Sequence, residues 1–267
     1  MPATVTPTLA MLRVQGQDAS KFLQGQLSSD MTALRAEQFR PAGLHSPQGR
    51  VIALLWLTAP SAQEILALLP QDVAPLAAAA LRRFVLRARV SIEVAAANST
   101  LYALPGAPPS TAAGKILAIA AGVPQVYAAS SGQFVAQMLN LDCIEAIAFN
   151  KGCYTGQEII ARAHYRGRVK RRMQRFAIPH TLAPQLMALA PGAALRLPDG
   201  RPAQLVDAAL LADGSCELLA VAPLRSGAAE AGPPLAAAAA GAGAPGAESA
   251  LTLTQCLPLP LPYAPPE

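Results

Sequence analysis

The segment KGCYTGQE, residues 151–158, constrains the fold of this chain more than any other stretch, because it joins a glycine-bearing loop to the start of a helix. Thr155 and Glu158 have the spacing of a capping box, in which each side chain satisfies a backbone N–H group that the first helical turn leaves free. Apolar residues follow, so the pattern predicts a helix from residue 156 to about residue 165. Gly167 suits the left-handed residue that commonly ends a helix.

Cys153 is the candidate reactive residue of this segment. It lies just before the predicted helix, where unpaired N–H groups carry partial positive charge, and Lys151 is two residues away. Both features favour thiolate over thiol. The other three cysteines are interpreted as small buried hydrophobes: Cys143, Cys216 and Cys256.

The composition indicates a globular protein. The 267 residues are 52% hydrophobic and 14% charged, which suffices for one large domain or two moderate ones. The four cysteines match no metal-ligand spacing, so we expect no metal site, no disulfide framework and a reducing compartment. We find no pattern of a signal peptide or a membrane span, and we expect a soluble, cytoplasmic monomer.

Apolar segments separated by turn signals predict an α+β fold in the first part of the chain. Asp72 is predicted to cap a helix from residue 73 to about residue 84, with Leu76, Leu81 and Phe84 at helical spacing. Strand, helix and strand in that order suggest a sheet covered on one face by helices. An SPQG cluster between the second and third strands indicates a β-hairpin. The predicted strands are residues 9–15, 39–44, 51–57, 63–69, 87–94 and 100–104, with a short helix at 115–121.

The composition changes from Pro179 onward, which suggests a second domain. Short strands separated by turns predict a small, β-barrel-like C-terminal lobe. We therefore divide the chain into residues 1–178 and 179–267, with a low-complexity Ala/Gly/Pro segment at 226–250. The predicted C-terminal strands are residues 195–197, 203–211, 216–222 and 251–257.

A basic stretch follows the cysteine segment, within a net charge of +5. It can bind phosphates, carboxylates or RNA, or it can be a solvated strand face, and the sequence supports both interpretations equally. Tyr165 and Phe176 are too few to form a convincing stacking platform for RNA. The basic residues are Arg162, Arg166, Arg168, Lys170, Arg171, Arg172 and Arg175.

The segment at 151–158, followed by Ala161-Arg162, resembles the signature of the YgfZ family, folate-binding proteins related to the T-protein (aminomethyltransferase) of the glycine cleavage system. The resemblance extends over nearly the whole chain at scattered points. The further matching segments are Phe22-Leu23-Gln24-Gly25-Gln26 with Asp30, Gly49-Arg50, Ser131-Gly132-Gln133-Phe134, residues 137–142, and Pro260-Leu261-Pro262-Tyr263.

This resemblance implies a multi-lobed folate-binding fold with tetrahydrofolate as the ligand. It also implies a role in the assembly or repair of iron–sulfur enzymes, with client proteins or assembly factors as partners and an effect on tRNA modification. Cys153 matches the family's distinctive functional residue. The chain departs from its relatives in a shorter middle segment, around residues 95–130, and in Asn150 and Ala136, where a second lysine and a proline are usual.

Folate joins a flat pterin to an anionic glutamate tail, so its site needs apolar walls, a few polar groups and positive charge. Arg162 is a candidate for the tail carboxylates. Candidates for the ring edge are Gln26, Asp30, Gln137, Asn140 and Asp142. Candidates from the family segment are Lys151, Gly152, Tyr154, Gly156, Gln157 and Glu158.

Three functions remain open at this point. The first is a folate-binding accessory protein of iron–sulfur repair that uses Cys153. The second is a folate-dependent aminomethyl or methyl transferase, which needs a carboxylate that we cannot assign. The third is a tRNA-binding module built on the basic stretch, which the charge alone does not support well enough.

Overall fold

The strands of this chain form two sheets. The structure is a computed structural model, and it describes residues 8–97, 99–167, 169–224 and 250–264. The first sheet is antiparallel, with the order β2-β3-β4-β1-β5. Its strands are β1 (Leu9–Gln15), β2 (Arg40–His45), β3 (Val51–Ser61), β4 (Glu64–Pro70) and β5 (Ser91–Ala96).

The central strands of this sheet are buried on both faces, as their nearly continuous apolar sequences require. On β3, Ala53, Leu55 and Leu57 face a core formed with helices α1 (Ala19–Gln24) and α2 (Ala74–Arg82). Leu54 and Trp56, which alternate with them, face a second core shared with the other sheet. The predicted hairpin of β2 and β3 and the predicted covering by helices are confirmed.

The second sheet has the order β10-β7-β8-β9-β6-β11. Its inner strands send alternate side chains to the shared core, as with Leu219, and to a third core beneath α5 (Ala183–Met187), as with Leu218. Among the described residues β10 and β11 are the edges of this sheet, and no pairing between them closes it into a barrel. Its strands are β6 (Arg171–Ile178), β7 (Ala194–Arg196), β8 (Pro202–Leu210), β9 (Cys216–Pro223), β10 (Leu251–Thr252) and β11 (Leu257–Leu259).

The α+β class is confirmed, and β6, which precedes residue 179, belongs to the second sheet. Two further helices, α3 (Ala112–Ala120) and α4 (Gln157–Tyr165), lie in the connection between the sheets. Four 3-10 helices complete the described elements: Met31–Ala33, Ser99–Ala103, Ala128–Ser130 and Ala136–Leu139. No helix of the described ranges combines the length and apolarity that a membrane crossing requires.

Several local predictions are wrong. The predicted strand at 100–104 is a 3-10 helix. Asp72 does not cap α2; its carboxylate accepts a hydrogen bond from the backbone N–H of Ala128 instead. Leu76 and Phe84 are 46% and 44% exposed, because α2 packs through its small residues, with Ala77 among them, and this brings the helix close to the sheet. The predicted low-complexity segment at 226–250 lies, apart from its last residue, outside the described residues.

Two buried ion pairs fix the connecting segment to the second sheet. Lys115 of α3 binds Asp207 of β8 at 2.8 Å, and the Tyr127 hydroxyl donates to the same carboxylate at 3.0 Å. Arg172 of β6 binds both carboxylate oxygens of Asp142, at 3.0 and 2.9 Å, with both side chains almost fully buried. A bidentate pair of this kind fixes orientation as well as distance.

The Arg172–Asp142 pair gives a stability prediction. Arg172→Met leaves the Asp142 carboxylate buried without its counter-charge, and we expect a loss of about 3–5 kcal/mol in the free energy of unfolding. Arg162→Met is the matched control, because Arg162 pairs with Glu158 in solvent and should contribute less than about 1 kcal/mol. Urea denaturation of both variants checks this, and equal losses would contradict the assigned role of the buried pair.

Candidate functional site

The 151–158 segment packs against the turn between β2 and β3. Gly156, with φ of 82°, is the N-cap of α4, and a Cβ there would lie 2.6 Å from the carbonyl oxygen of Ser46. Glycine is therefore required both by the left-handed backbone and by the close approach. The segment thus has one well-defined place on the first sheet.

The predicted capping box is wrong. The Thr155 hydroxyl contacts the Gln26 amide oxygen at 3.3 Å, and Glu158 pairs with Arg162 at 3.3 Å. Gln157 accepts a hydrogen bond from the Tyr154 N–H instead, which closes the turn before the helix. The predicted helix end at residue 165 is confirmed, but Gly167 is not left-handed as expected.

Lys151 binds the backbone of another segment. Its ammonium group donates to the carbonyl oxygens of Gln24, Leu27 and Ser29 at 2.7, 2.7 and 2.9 Å. Burial lowers the pKa of Lys151 to about 8, while the nearby Asp30 carboxylate acts in the opposite direction. Three acceptors match the three N–H bonds of a charged ammonium, so Lys151 joins the segment to the residues after α1.

Cys153 is exposed, between exposed Gly152 and buried Tyr154. Open space surrounds the Gly152 Cα, where an added Cβ would meet no atom within 4 Å. Two nearby residues are fixed: Lys151, two positions before Cys153, by three carbonyls, and Tyr154, directly after it, by burial. The arrangement therefore presents a thiol to solvent from a well-held loop, and the chemical role of that thiol stays a prediction.

His45 lies behind the segment and was missed by the sequence analysis. It is 2% exposed, neither ring nitrogen has a hydrogen-bond partner among the described residues, and its ring centroid lies 6.3 Å from that of Tyr154. A Cβ on Gly43 would lie 2.3 Å from the His45 Nε2 atom, so this glycine makes room for the imidazole. Burial lowers the pKa of His45 to about 3, and a single histidine at a strand end gave no pattern to detect.

Asn140 and Asp142 bind other parts of the protein. Asn140 is fully buried, donates to the Met173 carbonyl at 2.9 Å and accepts from Arg172 at 3.3 Å. The amide of Asn140 also contacts the Tyr263 hydroxyl at 3.4 Å, which itself donates to the Gly122 carbonyl. These predicted pterin contacts therefore connect the 136–142 segment to the second sheet and to the C-terminal segment.

Gln137 differs from Asn140 and Asp142 because only one of its two polar amide atoms makes a hydrogen bond within the described residues. Its Nε2 donates to the Ile160 carbonyl at 2.7 Å, whereas its buried Oε1 has no partner among the described residues. Gln137 lines a cavity of about 350 Å³ between the 3-10 helix Ala136–Leu139, α4 and β6. The other lining residues are Val135, Met138, Ala163, Gly167, Val169, Lys170 and Arg171.

The remaining candidates lie near Lys151. The Asp30 carboxylate accepts from Gln24 and from the N–H and hydroxyl of Thr32, and these hydrogen bonds lower its pKa. Gln26 contacts Thr155, as described above. Cys153, Gln26 and Asp30 do not line the cavity beside Gln137, so the predicted residues form two groups.

The basic stretch is divided in the same way. Arg172 and Arg175 are held in ion pairs with Asp142 and Glu217. Arg166 and Lys170 are exposed, and Arg168 lies outside the described residues. Neither predicted interpretation holds for the stretch as a whole, because it includes both structural and exposed cations.

Comparison with known proteins gives the family. No protein-family model matches the chain. An uncharacterised protein of Haemophilus influenzae is 31% identical over an alignment of 197 positions, which covers 63% of this chain and 70% of the relative. A 55-residue stretch, 21% of this chain and 17% of the relative, is 56% identical to a protein of Serratia proteamaculans named tRNA-modifying protein YgfZ. The chain belongs to the YgfZ family.

The fold of this YgfZ-type protein is also that of the glycine cleavage T-protein. The structure of the glycine cleavage system aminomethyltransferase T from Bartonella henselae matches it with a TM-score of 0.59 at 13% identity, over 80% of this chain and 76% of that one. At this identity the match shows the fold alone. The predicted likeness in architecture to the T-protein is confirmed.

His45 gives this YgfZ homologue a testable pH dependence. Because its folded pKa is depressed to about 3, the unfolded state binds a proton below pH 6.5 that the folded state does not bind. Stability is therefore lost as pH falls from 6.5 towards 3, by on the order of 3 kcal/mol at pH 4.5. In the variant His45→Leu, the loss of unfolding free energy between pH 7.0 and 4.5 should be smaller by this amount.

Urea denaturation of wild type and His45→Leu at pH 7.0 and 4.5 measures the difference. His180→Leu is the comparison variant, because it makes the same replacement at an exposed position, whereas His45 is buried. Identical pH dependence of wild type and His45→Leu would show that His45 is not held neutral in the folded protein.

Proposed function

We propose that this chain is a tetrahydrofolate-binding accessory protein that acts in iron–sulfur cluster assembly or repair and, through it, in tRNA modification. Cys153 is its key residue. The observation that carries the proposal is the solvent-exposed Cys153 thiol between two fixed residues, in a chain of the YgfZ family. A relative's name, tRNA-modifying protein YgfZ, and the T-protein fold support the coarser statement of a folate-related protein of tRNA modification.

The exposure of Cys153 supports a role in chemistry with a second molecule. A structural cysteine is normally buried, as Cys216 is in the second sheet, where burial raises its thiol pKa to about 12. Cys143 also has its pKa raised, to about 11, by burial and by the Asp142 carboxylate. Cys153 differs from both because it is exposed, so a thiol reaction with a client protein is available to it without unfolding.

The cavity beside Gln137 supports the binding of a flat ring with hydrogen-bond donors. Its volume lies at the lower end of the range of about 300–1,000 Å³ for small-molecule sites. The buried, unpartnered Gln137 Oε1 would have to turn towards the cavity to accept from a pterin N–H. The apolar lining suits the ring faces, and Lys170 and Arg171 suit an anionic tail. Tetrahydrofolate bound there would supply one-carbon chemistry, while Asn140 and Asp142 position the segment that carries Gln137.

In this proposal, the other candidate residues have structural roles around Cys153 or remain candidates for binding the folate tail. Gln26, Lys151, Gly156 and Gln157 hold the loop of Cys153 in place through the contacts described above. Asp30 binds Gln24 and Thr32 in the segment that Lys151 contacts. Arg162 and Glu158 pair with each other on the exposed side of α4, where Arg162 remains a candidate for tail carboxylates.

The aminomethyl transferase alternative has less support. That reaction needs a carboxylate free to organise the folate amine. Asp142 is bound to Arg172, and Asp30 is bound to Gln24 and Thr32. The T-protein likeness concerns the fold and does not supply the missing group.

The test combines ligand binding with a cellular assay. Tetrahydrofolate is titrated into the wild-type protein and the variants Cys153→Ala and Gln137→Met. In the cellular assay, the gene for each protein is introduced into a bacterial strain from which the native gene has been deleted. We expect Cys153→Ala to bind folate like wild type but to fail in complementation. Gln137→Met should weaken folate binding by roughly tenfold, since one hydrogen bond contributes about 1 kcal/mol or more.

Cys256→Ala is the matched cysteine control and should complement. Thermal denaturation of each variant separates loss of function from loss of fold. Full complementation by Cys153→Ala would exclude the role of the thiol, and an absence of tetrahydrofolate binding by wild type would exclude the folate part of the proposal.

A further inference from the structure

Three aromatic rings form an exposed cluster at the last turn of α4. The rings of Phe149 and His164 are stacked, with centroids 3.8 Å apart and an interplanar angle of 17°. Tyr165 meets both edge-on, at 6.0 Å from Phe149 and 4.7 Å from His164. We call these three residues the ring cluster.

The ring cluster is accessible to another molecule. The Tyr165 residue is 68% exposed, His164 is exposed and Phe149 is half-buried. The mutual contacts hold the rings in place, so a flat molecule that stacks on them would find an ordered surface. Nucleobases stack on such side chains whatever their sequence, because every base has a π face.

Unpaired cations lie beside the ring cluster. Arg166 follows Tyr165 directly and is exposed. Lys170 and Arg171 line the same cavity as Ala163 and Gly167, which places both cations next to the last turn of α4. Among the described residues, these three cations make no ion pair within 4 Å, in contrast to Arg172 and Arg175.

Of the two aromatic residues of the basic stretch, Tyr165 belongs to the ring cluster and Phe176 does not. Phe176 is buried in the third core, beneath α5. Phe149, 15 positions before His164 in the chain, and His164 itself take its place. The platform therefore arises from folding the connecting segment back onto α4.

We propose that the ring cluster, with Arg166, Lys170 and Arg171, is a binding surface for single-stranded RNA. Unstacked bases stack on the rings, and the phosphates pair with the three cations. A duplex hides its base faces inside the helix, so the surface selects unpaired segments, such as loops. This surface goes beyond the proposed function, because it needs neither Cys153 nor a bound folate. It shares Lys170 and Arg171 with the cavity beside Gln137, so RNA and the folate tail would compete for these two cations.

The test is fluorescence anisotropy with a labelled ten-nucleotide single-stranded RNA and its duplex, at 50 and 200 mM salt. Tyr165→Ala with His164→Ala should weaken binding of the single strand by roughly fivefold to a hundredfold, the loss expected for one stacked base. Arg166→Ala with Lys170→Ala should weaken it too and should flatten the salt dependence, because fewer counterions are released.

Arg83→Ala with Phe84→Ala is the matched control, since this exposed arginine and aromatic residue at the end of α2 should leave affinity unchanged. Thermal denaturation shows whether each variant is folded. No binding of the single strand at 50 mM salt would overturn the proposal. Equal affinity for the duplex, or affinity that folded ring variants retain, would do so as well, and would point to non-specific attraction by charge.

Discussion

The ammonium group of Lys151 determines where the cysteine loop lies. Three carbonyl oxygens, of Gln24, Leu27 and Ser29, accept its three N–H bonds. The Gln24 carbonyl belongs to the last residue of α1, where a helix leaves its carbonyls without intrahelical partners. A cation is favourable at that end of a helix. One side chain thus satisfies the end of α1 and fixes a segment more than 120 positions away in the sequence.

The second constraint on this loop is that two glycines, Gly156 and Gly49, form its contact with the first sheet, where a larger residue would clash. Gly156 approaches the Ser46 carbonyl and Gly49, and Gly49 itself has φ of 71° in the turn between β2 and β3. The hairpin, the end of α1 and the start of α4 therefore form one unit. Buried His45 and Tyr154 lie inside this unit, and Cys153 lies at its surface.

The sequence predicted the features that local pattern determines. The first-sheet strands except the wrongly predicted one at 100–104, the hairpin turn and α4 follow from apolar runs, turn residues and the signature segment. The capping box was wrong because Gly156 could adopt a left-handed conformation, which freed Thr155 for a contact with Gln26. The predicted apolar face of α2 was right at Leu81, which is buried, and wrong at Leu76, which is exposed because the helix buries alanines such as Ala77 instead.

The features that the sequence did not predict depend on contacts between distant residues. Nothing in the local sequence of His45 indicates that both nitrogens are buried without a partner. The stacking of Phe149 on His164 and the division of the basic stretch into paired and exposed cations depend in the same way on how the connection folds. The signature segment predicted which loop carries the candidate site. The residues that surround this loop could be identified only from the structure.

The most direct test of this account is amide hydrogen exchange of Lys151→Met, followed by mass spectrometry of the peptides that contain residues 24–30 and 150–157. If Lys151 joins the two segments, both should exchange faster in the variant than in wild type. Strands β3 and β4 should stay protected, because each is hydrogen-bonded to a neighbouring strand on both sides. Unchanged exchange in both segments, or faster exchange in one of them alone, would contradict the central role of Lys151.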